Sequence, residues 1–336
     1  ADYVGARHCI MVNSGSSALL VMLTALIETG QLQPGEEVVV PAVGWSTSLS
    51  SVLRAGLRPV LVDVDAQTLC LEGHHERAIL ALHLLGQPSR ATSSRLLLED
   101  ACAAHGAEVD GVKVGARGVA GAFSFFFSHH ITTGEGGMIC VQDDVLADAC
   151  RSLRAHGWVR ERGDRAEQEA AHGDIDPRFL FVNSGYNMRP TEQAGAFGIH
   201  QLPRLPGFVA ARNANHKAWC AAVRDSGLPV TVFDEAPGTL HAGFGFPMLV
   251  DADAGIDRAG LCAVLESQGI TTRAISGANL AAQPAFRDHP DVRVEGALPV
   301  AEAVHERGLF VGNAHAFGPD QGALLLRALH SAFAGG

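Results

Sequence analysis

The stretch SFFFSHHITTGEGGM, residues 124–138, decides the reading of this chain. An apolar run at 124–127 enters Ser128-His129-His130 and then a glycine-rich turn. Apolar residues that stop at polar ones before glycines mark the end of a buried strand. Two adjacent histidines there are poor partners for a single metal ion, because successive strand side chains face opposite ways. His129 can instead face a pocket as an acid–base group, since an unperturbed imidazole titrates near neutrality. The alternative is a capped or core histidine. The same alternation predicts that His130 points away from His129.

Outward from this stretch, strand-like and helix-like segments alternate. VVVPAV (38–43), PVLVDVD (59–65), AILALHL (78–84), RLLLEDA (95–101), GAFSFFF (121–127) and GMICVQD (137–143) read as strands. SSALLVMLTALIETG (16–30) and DVLADACRSLRAHG (144–157) have helical apolar spacing. This alternation predicts an α/β fold, a mostly parallel sheet with flanking helices. Residues 158–180 are polar and poorly periodic and read as a mobile excursion. Residues 190–227 read as a helix, a proline-marked break and a long helix. After about residue 205, FGFPMLVDAD (244–253), DRAGLCAVLESQG (257–269), ITTRAI (270–275) and PDQGALLLRALHSAF (319–333) predict a smaller C-terminal α+β domain. The expected division is therefore 1–205 and 206–336.

Composition narrows the function. The 336 residues are 47% apolar and 18% charged, and the net charge is −11. That balance argues against general binding to nucleic acid or to an anionic membrane, both of which need basic surface. No apolar run reaches the roughly 18 residues of a membrane span. The seven cysteines are scattered, with no C-x-x-C pair, so neither a disulfide framework nor a metal site is expected, and a reducing, cytoplasmic setting fits. The opening ADYVGARHC has no Met and reads as the inside of an element, so a preceding segment is expected. Only two lysines are present, Lys113 and Lys217. Chemistry that needs a Schiff-base lysine must use one of them or do without.

Four further positions carry candidate chemistry. Ser14-Gly15-Ser16-Ser17 stands between a short strand and a helix, where free N–H groups and the helix dipole favour a phosphate; an ordinary N-cap is the alternative. Trp45 follows a strand end and can stack on a planar ring or fill the core. Asp100 ends an apolar strand, where a buried carboxylate calls for a cation, such as a protonated pyridine nitrogen or a structural ion-pair partner. Asn187, in the turn GYNMRPTE (185–192), can reach outward to a phosphate or serve only the turn.

Taken in order, SGSSA, PVLVDVD, HLLGQP, EDACAAHGA, KVGARG, TTGEGGM and GYNMRPTE resemble the DegT/DnrJ/EryC1/StrS family of sugar aminotransferases and dehydratases. The resemblance spans nearly the whole chain. It implies a fold-type-I aminotransferase-like homodimer acting on a nucleotide-linked keto-sugar with pyridoxal or pyridoxamine phosphate, L-glutamate being a possible amino donor. It implies that Gly15, Ser16 and Ser124 hold the cofactor phosphate, that Trp45 stacks on its ring, and that Asp100 pairs with the ring nitrogen. Asn187 would reach the phosphate of the other subunit's site. The family pattern S-F-x-x-x-K-x-x-T-T-G places its anchoring lysine on His129. The same exchange marks a minority branch, the nucleotide-sugar 3-dehydratases, which S-H-H-I-T-x-G-E-G-G and TRAISGANLAAQPAF (272–286) also resemble. In that branch the cofactor is bound without a covalent link, and His129 is the acid–base group of a C3 dehydration. His130, Arg273 and Asn279 become candidate substrate contacts.

Departures are visible. Some of the branch carry an iron–sulfur cluster on closely spaced cysteines; the spacing here does not repeat that pattern, and no cluster is expected. Ala103 stands where the family usually has a polar side chain beside the cofactor hydroxyl. The stretches around 70–78 and 88–95 are short for the family. Two other readings remain open: an amine-transferring enzyme on a sugar or cyclitol, and a non-catalytic binding or regulatory protein of the same fold.

Overall fold

Eight short, apolar, mostly β-branched runs assemble one sheet in the computed structural model, which describes residues 1–334. In chain order its strands are β1 (His8–Val12), β2 (Glu37–Pro41), β3 (Arg58–Val62), β4 (Ala78–Leu82), β5 (Leu97–Asp100), β6 (Ala120–Ser124), β7 (Gly137–Val141) and, much later, β11 (Arg293–Val294). The spatial order is β1-β7-β6-β5-β4-β2-β3-β11. Only β7 runs against the others. Central strands such as β4 are buried at every residue, as a sheet covered on both faces requires.

The covering helices α1 (Gly15–Glu28), α2 (Ser46–Arg54) and α3 (Asp144–Arg154) follow β1, β2 and β7. Helix α1 packs on β6 and β7 and against α2 and α3, so it buries Leu19, Met22, Leu23 and Leu26 almost completely. Its start is set by Ser14, whose hydroxyl accepts the Ser17 N–H at 3.1 Å, and α3 starts likewise on Asp143, which accepts from Leu146 at 2.7 Å. A buried carboxylate with three partners stiffens the end of β5. Glu99 is fully buried and meets His83 at 3.1 Å and the N–H groups of Arg117 and Gly118 at 2.9 Å each.

The chain then runs through α4 (Glu192–Gln201) and α5 (Leu205–Asp225), with a tight turn between them at Leu202–Arg204. A second sheet follows, wholly antiparallel. Its strands are β8 (Val230–Val232), β9 (Gly245–Val250), β10 (Thr272–Ala274) and β12 (Gly308–Gly312), ordered β8-β9-β12-β10. Helices α6 (Arg258–Ser267) and α8 (Pro319–Phe333) complete it around Trp219, Phe246, Leu261 and Leu325, while α7 (Pro299–Arg307) buries Ala301 and Val304 in a separate cluster with Ile275 and Leu85.

Two features depart from the sequence reading. Residues 158–180 are not wholly irregular, since Arg165–Ala171 form a short helix that buries nothing. The C-terminal part is not confined to its own sheet, because β11 returns to extend the large one beside β3. No helix among the described residues is long and apolar enough to cross a membrane.

Candidate active site

Strands β1, β2, β4, β5 and β6 run parallel, so their C-terminal ends share one edge, where open α/β sheets bind ligands. Ser14 to Ser16 follow β1, Trp45 follows β2, Asp100 ends β5, and Ser124 ends β6. The topology therefore gathers residues more than a hundred positions apart.

Gly15 is where the helix meets the sheet. A Cβ on it would stand 2.6 Å from the Ser124 Cβ and 2.8 Å from the Cys102 sulfur, so only glycine lets α1 begin this close to β6. Ser14 occupies the Ser17 N–H, and the N–H groups of Gly15 and Ser16 are left without an intrahelical partner. The exposed Ser16 hydroxyl is 3.5 Å from that of Thr47, which brings the first turns of α1 and α2 together. Helix starts with free N–H groups brought this close together suit a phosphate.

Asp100 is buried, accepts from the Ser48 hydroxyl at 2.7 Å and from the Cys102 N–H at 3.2 Å. Among the described residues it has no ion-pair partner. A buried carboxylate held only by neutral donors remains suited to a bound cation.

His129 lies in the loop after β6, its Nδ1 3.0 Å from the Ser124 carbonyl oxygen. That carbonyl can only accept, so Nδ1 carries the proton and Nε2 is the free base. The ring stands edge-on to Phe244 at 5.4 Å and to Phe126 at 5.9 Å. Burial pushes the imidazole below its ordinary pKa, opposed by the Ser124 hydrogen bond and the Asp100 charge. His129 is thus neutral at neutral pH.

His130 differs from the sequence expectation. Strand β6 has ended at Ser124, so strand alternation does not govern 129 and 130. Both rings approach Phe244, at 5.4 and 5.7 Å, and both approach His105, at 6.0 and 5.4 Å. His130 is buried, its Nε2 donates to the Ala242 carbonyl at 3.0 Å, and burial pushes its pKa down to about 3, with the Arg212 charge adding to the effect. It packs as a core histidine, facing no open cleft.

Burial also drives His105 and His241 well below their ordinary values. The unfolded chain takes up protons at these sites below about pH 6.5, whereas the folded chain does not. Stability therefore falls as pH drops, by up to about 1.4 kcal/mol per pH unit for each group. Denaturant titrations should give a lower unfolding free energy at pH 5.5 than at pH 7.5, and His130→Gln should flatten the dependence.

Trp45 is 61% exposed, so it does not fill the core. The segment after β10 folds back onto it. Gly277 N–H bonds to the Gly44 carbonyl and Leu280 N–H to that of Ala42, both at 2.8 Å. Asn279 is buried beside Val43, and its Oδ1 accepts the Ala281 N–H at 3.0 Å, which shapes the turn. An open cleft of about 640 Å³ runs between Trp45, Ser50 and Arg54 on one side and Gln283, Phe286 and His289 on the other. Arg273 is exposed on β10. Asn187 is exposed too; it accepts from Arg189 at 3.3 Å, and the next residue, Met188, accepts the Asn13 N–H at 3.0 Å. Among the described residues, Asn187 has no hydrogen bond to Asp100 or His129.

Both lysines are engaged elsewhere. Lys113, in a short hairpin, pairs with Glu108 at 3.0 Å, and Lys217, on α5, pairs with Glu235 at 2.8 Å. Sequence reading missed Ser48 and His105, whose roles depend on tertiary neighbours that no local pattern reveals.

Comparison with known proteins agrees with this arrangement. A GDP-4-keto-6-deoxy-D-mannose 3-dehydratase of Yersinia pseudotuberculosis is 36% identical over 334 residues, covering 93% of this chain and 84% of the relative. A dTDP-4-dehydro-2,6-dideoxy-D-glucose 3-dehydratase of Saccharopolyspora spinosa is 33% identical over 343 residues, covering 93% and 74%. Among solved structures, the Escherichia coli GDP-4-keto-6-deoxy-D-mannose-3-dehydratase with bound hydrated PLP superposes with a TM-score of 0.88 at 33% identity, over 98% of this chain and 89% of that one. The architecture is that of the fold-type-I aminotransferases. The DegT/DnrJ/EryC1/StrS aminotransferase family matches residues 1–324, and the chain belongs to it.

Proposed function

We propose that this chain is a pyridoxal/pyridoxamine-phosphate-dependent lyase that removes the C3 hydroxyl of a nucleotide-linked 4-keto-6-deoxy sugar. The observation that carries this reading is His129, which stands on the Ser124 carbonyl near Asp100 while both lysines are held in ion pairs elsewhere. The relatives' names support the same reaction and two different nucleotides.

The residues fit the cofactor. The turn at Gly15 and Ser16 beside Ser124 suits its phosphate, Asp100, held only by neutral donors, its ring nitrogen, and the exposed Trp45 face its ring. When bound, the cofactor supplies an amine that condenses with the sugar's keto group and a ring that accepts electrons. This chain's residues do the rest. The buried Asp100 carboxylate would pair with the ring nitrogen. Ser48 orients the carboxylate. His129, its Nδ1 fixed on the Ser124 carbonyl, uses Nε2 to move a proton at the cofactor's C4′ position. Phe126 and Phe244 pack edge-on against the imidazole and fix its plane. A histidine can carry a proton but cannot anchor the cofactor, so the cofactor is held without a covalent link.

The cofactor domain is taken as residues 1–205 and the smaller domain as 206–336, with Arg273 and Asn279 on the substrate side. The working form is a homodimer in which Asn187 reaches its neighbour's phosphate. Support comes from exposed Phe127, Phe179, Phe197 and Ile199, each 63–68% accessible in one protomer. Sedimentation that gives a monomer at micromolar concentration would end that part of the reading.

The reaction is tested by incubating the protein with GDP-, CDP- and dTDP-linked 4-keto-6-deoxy sugars, pyridoxamine phosphate and L-glutamate, with products read by mass. The 3-dehydratase reading expects loss of the C3 oxygen. Gain of an amine with the oxygen retained would make the chain a transaminase, and no product at all would make it a binding protein.

Trp45→Ala should weaken cofactor binding by about 1 kcal/mol, roughly five-fold in Kd, with the melting temperature unchanged. Fluorescence titration with pyridoxal phosphate measures the first and calorimetry the second.

A further inference from the structure

We propose that Cys9 and Cys140 form an oxidisable thiol pair that closes a cross-strand disulfide between β1 and β7. The two residues are direct partners in the antiparallel β1–β7 ladder, and their sulfurs are 3.1 Å apart. Opposed residues in such a ladder have Cα atoms about 4.5 or 5.5 Å apart, and both values lie inside the range a disulfide spans. Closure therefore requires side-chain rotation and no backbone shift.

Reactivity is uneven along the chain, and it favours this pair. Cys9 is half-buried, and its thiol is lowered chiefly by the hydrogen bond with Cys140, against the opposing effect of burial. Cys140 is correspondingly pushed well up, as expected when one proton is shared between two sulfurs. Burial pushes Cys70, Cys150 and Cys220 up to about 12, which leaves them inert.

The step balances with a small disulfide as oxidant. The Cys9 thiolate attacks one sulfur of oxidised glutathione and expels a glutathione thiolate. Cys140 loses its proton and attacks the Cys9 sulfur of the mixed disulfide, expelling the second glutathione. Two electrons pass to the oxidant, two thiol protons leave, and one bond joins Cys9 to Cys140. The bridge clips together the two strands that seat the phosphate-binding turn. β1 leads into Ser14, and a Cβ on Gly137, the first residue of β7, would fall 2.1 Å from the Ser14 carbonyl oxygen.

The test treats the full chain with oxidised glutathione, quenches by alkylation, and reads intact mass and a peptide map. The expected result is loss of two alkylatable thiols and a cross-linked peptide pair containing Cys9 and Cys140. The melting temperature should rise by about 5 °C. Dithiothreitol should reverse both changes, and Cys9→Ser and Cys140→Ala should each prevent them. An unchanged thiol count would overturn the proposal. So would glutathione retained on Cys9 without closure, or a cross-link between any other pair.

Discussion

His129→Asn should fold and melt like the parent protein and still bind pyridoxal phosphate, yet lose on the order of 10²–10⁴ in turnover. The asparagine keeps a donor toward the Ser124 carbonyl, so the loop after β6 retains its anchor. What disappears is the free imidazole nitrogen, the one group in the cluster able to take and return a proton near neutrality. His130→Gln should leave turnover far less changed, because His130 is buried against the Ala242 carbonyl and stays neutral down to about pH 3. Stopped-flow absorbance with cofactor and substrate separates binding from proton transfer. Equal turnover in the His129 variant would move the acid–base role elsewhere. The acid limb of the parent's pH profile carries the same signature. Burial holds the His129 pKa below its ordinary value, so activity should persist below pH 6.5 and fail only as His129 gains its proton.

The second large effect concerns Asp100. Asp100→Asn keeps the shape and keeps an acceptor for the Ser48 hydroxyl at 2.7 Å, but it removes the charge. A neutral amide cannot keep the ring nitrogen protonated, so the ring becomes a poorer electron acceptor. Turnover should fall on the order of 10²–10³-fold, the range typical for removing one preorganised electrostatic group. Cofactor affinity should fall much less, because the phosphate turn and Trp45 remain. Comparing kcat with the cofactor Kd distinguishes this from a structural role, which would lower both along with the melting temperature.

Much of the large sheet was legible because parallel strands buried on both faces write themselves as unbroken apolar runs, such as VVVPAV and AILALHL. The helices were legible where a cap and an apolar stripe coincide, as at Ser14 and Asp143. β12 was not seen: GLFVG is a short run between glycines directly after a helix, and it becomes the centre of the small sheet only through its partners β9 and β10. β11 was invisible for the same reason, since Arg293–Val294 is a strand only because β3 is beside it.

The site was legible in its residue types and not in its contacts. The spacing of Asp100, Ser124 and His129 showed a familiar pattern, whereas the packing of His105 against both histidines is a product of chain folding. The orientation of His130 was misjudged because the strand was extended three residues too far and its alternation carried on into the histidines. A strand ending at Ser124 releases the two histidines from alternation, and the Ala242 carbonyl then fixes one of them in the core.

The central claim is that His129 replaces an anchoring lysine and that the cofactor is held without a covalent bond. The most direct test is borohydride reduction of the protein loaded with pyridoxal phosphate, followed by intact mass and peptide mapping. The parent protein should show no added mass, and dialysis should remove its cofactor, while His129→Lys should become reducible at residue 129. A stable cofactor adduct on Lys113 or Lys217 of the parent would contradict the account and make the chain a lysine-dependent enzyme with a displaced anchor.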